Sequence, residues 1–244
     1  MTRSISIFFF MLCMTCMFPV VGQVTKENKY NTRYDVGIIP GGDAFMILTE
    51  KEQELDSLFR QVALVSDSMH GEDTIPQNHQ LERMDFKNNR SRISMEIYRN
   101  GKIQASDSLL KQGFPTTCTC FMMNDTIFVK SFIGFFGGMG IDVKISGEEF
   151  QSGVFVYADD SMPYKSALKD TVFHRLLDTG AKYQQLVLDK QPRFQNVHQL
   201  TGVLNITTNE FYEQNNQRNI DHITLKGKMY FTCKVNTFLS RFSQ

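Results

Sequence analysis

The sequence predicts a mainly β protein that leaves the cytoplasm: an antiparallel two-sheet sandwich, with a barrel as the alternative, and one N-terminal amphipathic helix. Three observations predict it. Residues 1–22 read as a secretory leader, one segment carries a strong helical period, and from about Arg92 onward apolar side chains recur at every second position.

Arg3 gives the leader its positive start, and the uncharged run from Ile5 to Val21 holds Ile7, Phe8, Phe9, Phe10, Met11, Leu12 and Met17. Pro19 breaks that run, and Val20-Val21-Gly22 sets compact side chains before Gln23, as a signal peptidase requires. Read as a membrane anchor, the run is near the lower limit of ~18 residues and carries Ser4, Ser6, Thr15 and Pro19. Cleavage is the better reading. Met11-Leu12 before Cys13 and Met14-Thr15 before Cys16 fit a lipoprotein signal poorly. The expected mature chain starts at Gln23, has no transmembrane span, and is secreted or held in the periplasm or cell envelope.

The full chain carries 26 basic and 26 acidic residues, and losing Arg3 leaves a single acidic excess. Nucleic-acid binding needs a clustered basic face, which this balance does not offer. A hydrophobic content of 41% is enough for a packed core. Trp is absent, which removes one aromatic platform of carbohydrate-binding surfaces, although the 8 Tyr can stand in.

The organisation expected is a signal peptide over 1–22, an extended arm over 23–47, and a β-rich domain over 48–244 that opens with a helix at 49–65. Thr49 with Glu52 forms a capping box. Leu55, Leu58, Phe59, Val62 and Val65 then form one apolar stripe, while Glu50, Glu52, Glu54 and Asp56 suit the helix dipole.

The period then changes. Ile93, Met95 and Ile97 alternate with Ser94, Glu96 and Tyr98 up to the turn signal Asn100-Gly101. A three-residue loop would set Ile97 opposite Ile103 and Met95 opposite Ala105, so burial on one face predicts that register over a two-residue turn. Asn124-Asp125 predicts a second hairpin, with Met122 facing Ile127 and Cys120 facing Val129. Further strands are expected at Ile141 to Ile145, Gly153 to Ala158, Thr171 to Leu177, Gln184 to Leu188, Leu200 to Thr207 and Ile223 to Val235.

Cys13 and Cys16 leave with the leader, so Cys118, Cys120 and Cys233 remain, an odd number in a disulfide-permissive compartment. A Cys120–Cys233 bridge is the candidate; three small buried hydrophobes is the alternative. The glycine cluster from Gly134 to Gly140 lacks the Lys-Ser/Thr ending and following helix of a phosphate cradle. It reads as a connection between strands, with Phe135, Phe136 and Met139 as a possible contact loop. His70, His79, His174, His198 and His222 show no metal spacing. Glu148-Glu149 and Asp159-Asp160 qualify as an acid/base pair only if folding brings them within ~5–9.5 Å. Asn89, Asn124 and Asn205 head acceptor sequons.

No catalytic residue, metal ligand or cofactor is therefore expected. The functional expectation is an exported, noncatalytic binding or envelope-associated protein whose ligand is a protein, glycan or lipid. An extracytoplasmic hydrolase using dispersed carboxylates and an assembly subunit are the alternatives.

Overall fold

A computed structural model describes residues 32–41, 88–104, 113–133, 137–194 and 196–237. The leader and the 49–65 helix lie outside the described residues. Those described form twelve strands and no helix, so among them no helix is long and apolar enough to cross a membrane.

The strands are β1 Asp35–Val36, β2 Arg90–Arg99, β3 Lys102–Ile103, β4 Phe114–Met123, β5 Thr126–Ile133 and β6 Gly137–Ser146. They continue with β7 Glu149–Ala158, β8 Tyr164–Lys165, β9 Leu176–Leu188, β10 Gln199–Thr208, β11 Phe211–Gln214 and β12 Ile220–Thr237. Alternation fixes which face each strand buries. Ile127 and Val129 on β5, Ile141, Val143 and Ile145 on β6, and Val154 on β7 all have no exposed surface, while Lys130 and Lys144 between them face water.

The sheet is not a two-sheet sandwich. Its hydrogen-bonded path runs β2-β4-β5-β6-β7-β9-β10-β12 and returns to β2, closing a ring of eight antiparallel strands. The closing ladder is long, from Ile223↔Arg99 to Thr232↔Arg90. Closure replaces two facing sheets because β12 is 18 residues long and has a partner strand on each side. No local pattern announces such a pairing.

Eight strands leave an interior that side chains can fill. Every ring strand contributes to a single apolar cluster, from Ile93 and Met95 on β2 to Leu225, Met229 and Phe231 on β12. Gly202 makes room inside: a Cβ there would lie 2.7 Å from the Phe231 ring and 2.9 Å from a Leu188 methyl. Gly140 does the same outside, where Phe155 lies across it and stacks on Phe132 with ring centroids 5.8 Å apart.

Turn chemistry corrects one register. Asn100 and Gly101 both take positive φ (52° and 75°), the geometry of a two-residue primed turn, and pair Tyr98 with Ile103 and Arg99 with Lys102. Gln104 donates to the Ile97 carbonyl at 2.8 Å. Burial could not impose the longer loop, because β3 is an edge strand and Ile103 is exposed. Asn124 and Asp125 (φ 48° and 56°) make the second such turn, with Met122↔Ile127 and Cys120↔Val129 in the expected register. The expected strand Thr171 to Leu177 begins only at Leu176, because His174 pairs with Tyr164 instead of entering the ring ladder.

The ring has one split. β7 and β9 pair from Gly153↔Gly180 up to Tyr157↔Leu176, and below that an extra residue in β9 shifts its register against β10. Buried Gln184 bridges the gap: its Oε1 accepts from the Ser152 N–H (2.9 Å) and hydroxyl (2.8 Å), and its Nε2 donates to the Phe150 carbonyl at 3.3 Å. Part of the expected N-terminal arm fills the remainder, with β1 parallel to β9 through Asp35↔Val187 and Val36↔Leu188.

A second irregularity lies where β4 leaves β2 after Arg90↔Thr117 and meets the end of β12 in parallel at Val235↔Cys120. Asn88 and Asn89 wedge into this junction. The Asn89 carbonyl accepts from the Cys118 N–H at 3.3 Å, and its side chain accepts from the Lys234 N–H at 2.9 Å.

Gly140→Ala is expected to destabilise the fold by ~1–3 kcal/mol, because the new methyl runs into the Phe155 ring and the Ser131 carbonyl. Denaturant unfolding measures this. Adding Phe155→Ala should recover part of the loss, and strict additivity would contradict the contact.

Candidate functional site

Strand polarity sorts the loops to two ends of the ring. The end where β2 finishes at Arg99 also receives the end of β5, the start of β6, the excursion between β7 and β9, and the β11–β12 hairpin. The opposite end carries the Asn124-Asp125 and Gly147-Glu148 turns.

At the first end lies a charged cluster. Arg99 reaches over the rim, its Nη1 2.7 Å from Asp221 Oδ2 and its Nη2 2.6 Å from Glu213 Oε2. Asn100 Nδ2 donates to the other Asp221 oxygen, Oδ1, at 2.8 Å, and Asn215 Nδ2 donates to Oδ2 at 3.3 Å. Hydrogen bonds from Asn100 and Arg99 hold the Asp221 carboxyl below the ordinary carboxylate range. Burial, then the charge of Glu213, pushes the Tyr164 phenol up. An open hollow of about 480 Å3 lies over this cluster, with Ser161, Pro163 and Asn216 along its wall. The ligating capacity faces inward: Asn215 Oδ1 accepts from the Gln217 and Asn219 N–H groups at 3.0 Å each, and the Asp221 oxygens are already occupied. The cluster locks the two hairpins together. Sequence reasoning missed it, since Arg99, Glu213 and Asp221 meet only across long separations.

The excursion from Asp159 to Arg175 is pinned from within. Lys165 is buried and donates to the carbonyls of Leu168 (2.6 Å) and Asp170 (3.2 Å), with its Nζ 5.3 Å from the Phe173 ring centre. Tyr164 and His174 exchange backbone hydrogen bonds, and Tyr164 packs edge-on against Phe211. On this fixed frame stand Met162, Leu168 and Val172, which are 61%, 54% and 61% exposed. Leu176 follows at the start of β9, also exposed.

Of the expected contact loop, Met139 lies in β6, pairs with Ile133 and Val156, and packs against the core. Phe135 and Phe136 lie outside the described residues. The described part of the glycine cluster, Gly137 to Gly140, lies within β6. Glu148-Glu149 and Asp159-Asp160 flank opposite ends of β7, whose ten residues span ~33 Å, so folding does not bring them within the range an acid/base pair needs. His174, His198 and His222 join no metal-holding cluster, and none occurs among the described residues. His70 and His79 lie outside them. Asn124 stands on an exposed turn, whereas Asn89 is engaged at the strand junction.

Cys120 and Cys233 face each other inside the ring with Cα atoms 5.8 Å apart, within the range a disulfide needs, and their sulfurs are in bonding contact. Cys118 is buried beside them and donates to the Thr232 and Arg90 carbonyls at 3.1 and 3.2 Å. Burial pushes its thiol far up, which makes it a poor nucleophile.

On the outer face, Asp142 lies against Gly153. Burial, and then the charge of Asp178, lifts its carboxyl above the ordinary range despite Lys130 and Lys144.

No protein-family model, no curated protein and no solved structure matches this chain.

Thiol titration of the denatured chain comprising residues 23–244 alone should find one reactive group, Cys118; three would contradict the bridge. Replacing Cys120 and Cys233 with Ala should cost ~2–4 kcal/mol, since the bridge closes a loop of sequence separation 113.

The folded chain holds the Asp142 proton more tightly than the unfolded chain does. This residue therefore lowers stability as pH rises from the unfolded pKa of about 3.9 through the raised folded value. Asp142→Asn should raise the denaturant midpoint at neutral pH, and the gain should vanish in acid. Equal midpoints at neutral pH would contradict the burial.

Proposed function

We propose that this chain is an exported, noncatalytic binding protein of the cell envelope or extracellular space, acting through one end of its ring. The observation that carries the reading is the excursion from Asp159 to Arg175. A buried lysine and paired backbone fix it, and it still presents Met162, Leu168 and Val172 to solvent. Large apolar side chains held rigidly in water are costly without a partner, and rigid presentation lowers the entropy lost on binding.

Two further observations support the reading. The ring interior is occupied by its own aliphatic and aromatic side chains, so recognition falls to the outside. The charged groups at the same end are consumed by one another, which suits a rim better than a reaction centre. An assembly subunit that takes up a neighbour's strand needs a long free edge. Among the described residues the ring closes, and the terminal strands β3 and β8 have two residues each. The partner class favoured is a protein with an apolar contact patch.

A photo-crosslinking residue at Val172, in the exported chain within its own host, tests the reading. A discrete adduct is expected. It should disappear when Met162→Ser and Leu176→Ser are added, with each substitution changing stability by about 0.5 kcal/mol or less. The same crosslinker at exposed Tyr183 serves as the control. No adduct at Val172, or an identical pattern from Tyr183, would overturn the proposal.

A further inference from the structure

The outer wall built by β9, β10, β12 and β2 carries an inference independent of the excursion. The alternation that buries Leu204, Ile206, Leu225, Met229 and Met95 turns their neighbours outward. The ladders set these neighbours in two rows. One row runs Tyr183, Thr207, Lys226, Glu96, and the next runs Gln185, Asn205, Lys228, Ser94. Every side chain in the two rows can donate or accept a hydrogen bond, and none is purely apolar. A protein interface needs an apolar centre, so this wall suits a strongly hydrated ligand instead.

The positive charge on the wall is left open. Lys226 and Lys228 stand two residues apart on one strand, hence ~7 Å apart on one face. Their ammonium groups lie over tyrosine rings, Lys226 Nζ 4.7 Å from the Tyr98 ring centre and Lys228 Nζ 4.5 Å from that of Tyr230. Among the described residues no ion pair neutralises either lysine. Glu96, the one carboxylate of the two rows, lies across from Lys226 but accepts from the Tyr98 hydroxyl at 2.9 Å. The rings hold two otherwise flexible side chains against the wall, which lowers the entropy lost when an anion binds them. Beside them Tyr183 is 50% exposed, and Gln185, Asn205 and Thr207 are partly exposed. Cations set among amides, hydroxyls and an open phenol ring match a chain of sugar rings that carries both hydroxyls and anionic groups.

We propose that this wall is a binding site for an acidic polysaccharide. Lys226 and Lys228 take its carboxylate or sulfate groups, Gln185, Asn205 and Thr207 take its hydroxyls, and Tyr183 takes the apolar face of a sugar ring. The rows cross four strands, ~14 Å at the ladder spacing, so the ligand meets the wall along several linked rings.

Calorimetric titration of the chain spanning residues 23–244 with dextran sulfate, polygalacturonate and uncharged dextran tests the proposal. At least one acidic polymer should bind, which identifies the anionic group, and uncharged dextran should not. Lys226→Gln with Lys228→Gln should weaken binding about tenfold or more. Lys130→Gln with Lys144→Gln, the same loss of charge at exposed lysines elsewhere on the ring, should leave it unchanged. Tyr183→Ala should weaken binding about threefold or more at constant charge. Lys226→Arg with Lys228→Arg should retain binding, which separates lost charge from lost folding. The proposal is overturned if neither acidic polymer binds, if uncharged dextran binds equally, or if the two lysine pairs matter alike. It is also overturned if Tyr183→Ala changes nothing, if the arginine pair fails to bind, or if oligothymidylate binds more tightly than either polymer.

Discussion

The ladder between β12 and β2 is the constraint on which the rest of the molecule depends. It joins segments more than 120 residues apart, from Ile223↔Arg99 to Thr232↔Arg90, and turns a meander of hairpins into a ring. Without it, β2 and β12 would each offer a long row of unpaired N–H and C=O groups, a template for aggregation. With it, every strand in the ring has two neighbours, and the inward row of each strand joins one core. Such non-local closure brings no reward until loops of this length have been drawn together, which makes folding of this topology slow.

A closed ring of unequal strands must break its own pattern somewhere, and the two breaks are handled with polar side chains. At the β2/β4/β12 junction, the Ser131 and Ser91 hydroxyls reach the Thr117 carbonyl at 2.9 and 3.2 Å, and Asn89 bridges to the Lys234 amide. At the β7/β9 split, Gln184 supplies acceptor and donor together. Ser91, Ser131 and Gln184 are buried, so leaving their backbone partners unmatched would cost ~1–3 kcal/mol each. A polar residue on an inward face of this protein is therefore a repair to the ladder.

That rule also explains what the sequence made legible. Clean alternation, as in Ile141-Val143-Ile145 or Met229-Phe231-Cys233, marks strands because one face is buried and the other wet. It also set Cys120 and Cys233 on inward faces. The Asn124-Asp125 turn was legible because two residues with positive φ admit one register. Leu177 and Leu186 could not be joined into one strand by pattern, since the alternation loses phase near Lys182 and an amide occupies the inward position at Gln184. The Asn100-Gly101 register was misjudged because burial governs register only where both strands face the core, and Ile103 does not. The cluster of Arg99, Glu213 and Asp221 left no local trace. Nor did the excursion, whose lysine at Lys165 reads as a surface residue until its carbonyl cage is seen.

The way the core is filled limits where a ligand can act. An eight-stranded ring can hold a small molecule only if its inward residues leave a space. Here the opposite choice recurs: Gly202 is empty so that Phe231 can enter, and Gly227 leaves room for Met95, whose sulfur would lie 3.0 Å from a Cβ there. An inward glycine paired with a large side chain on the neighbouring strand is the signature of volume being filled. Opening a cavity would mean displacing Phe231, the largest of the fully buried side chains, from contacts on several strands. Among the described residues the space inside the ring is taken, and the polar clusters lie at the strand ends. At one end Arg99, Asp221 and Asn100 tie two hairpins together, and beside them the excursion, held by Lys165 and by the Tyr164–His174 backbone pair, keeps Met162, Leu168 and Val172 in solvent.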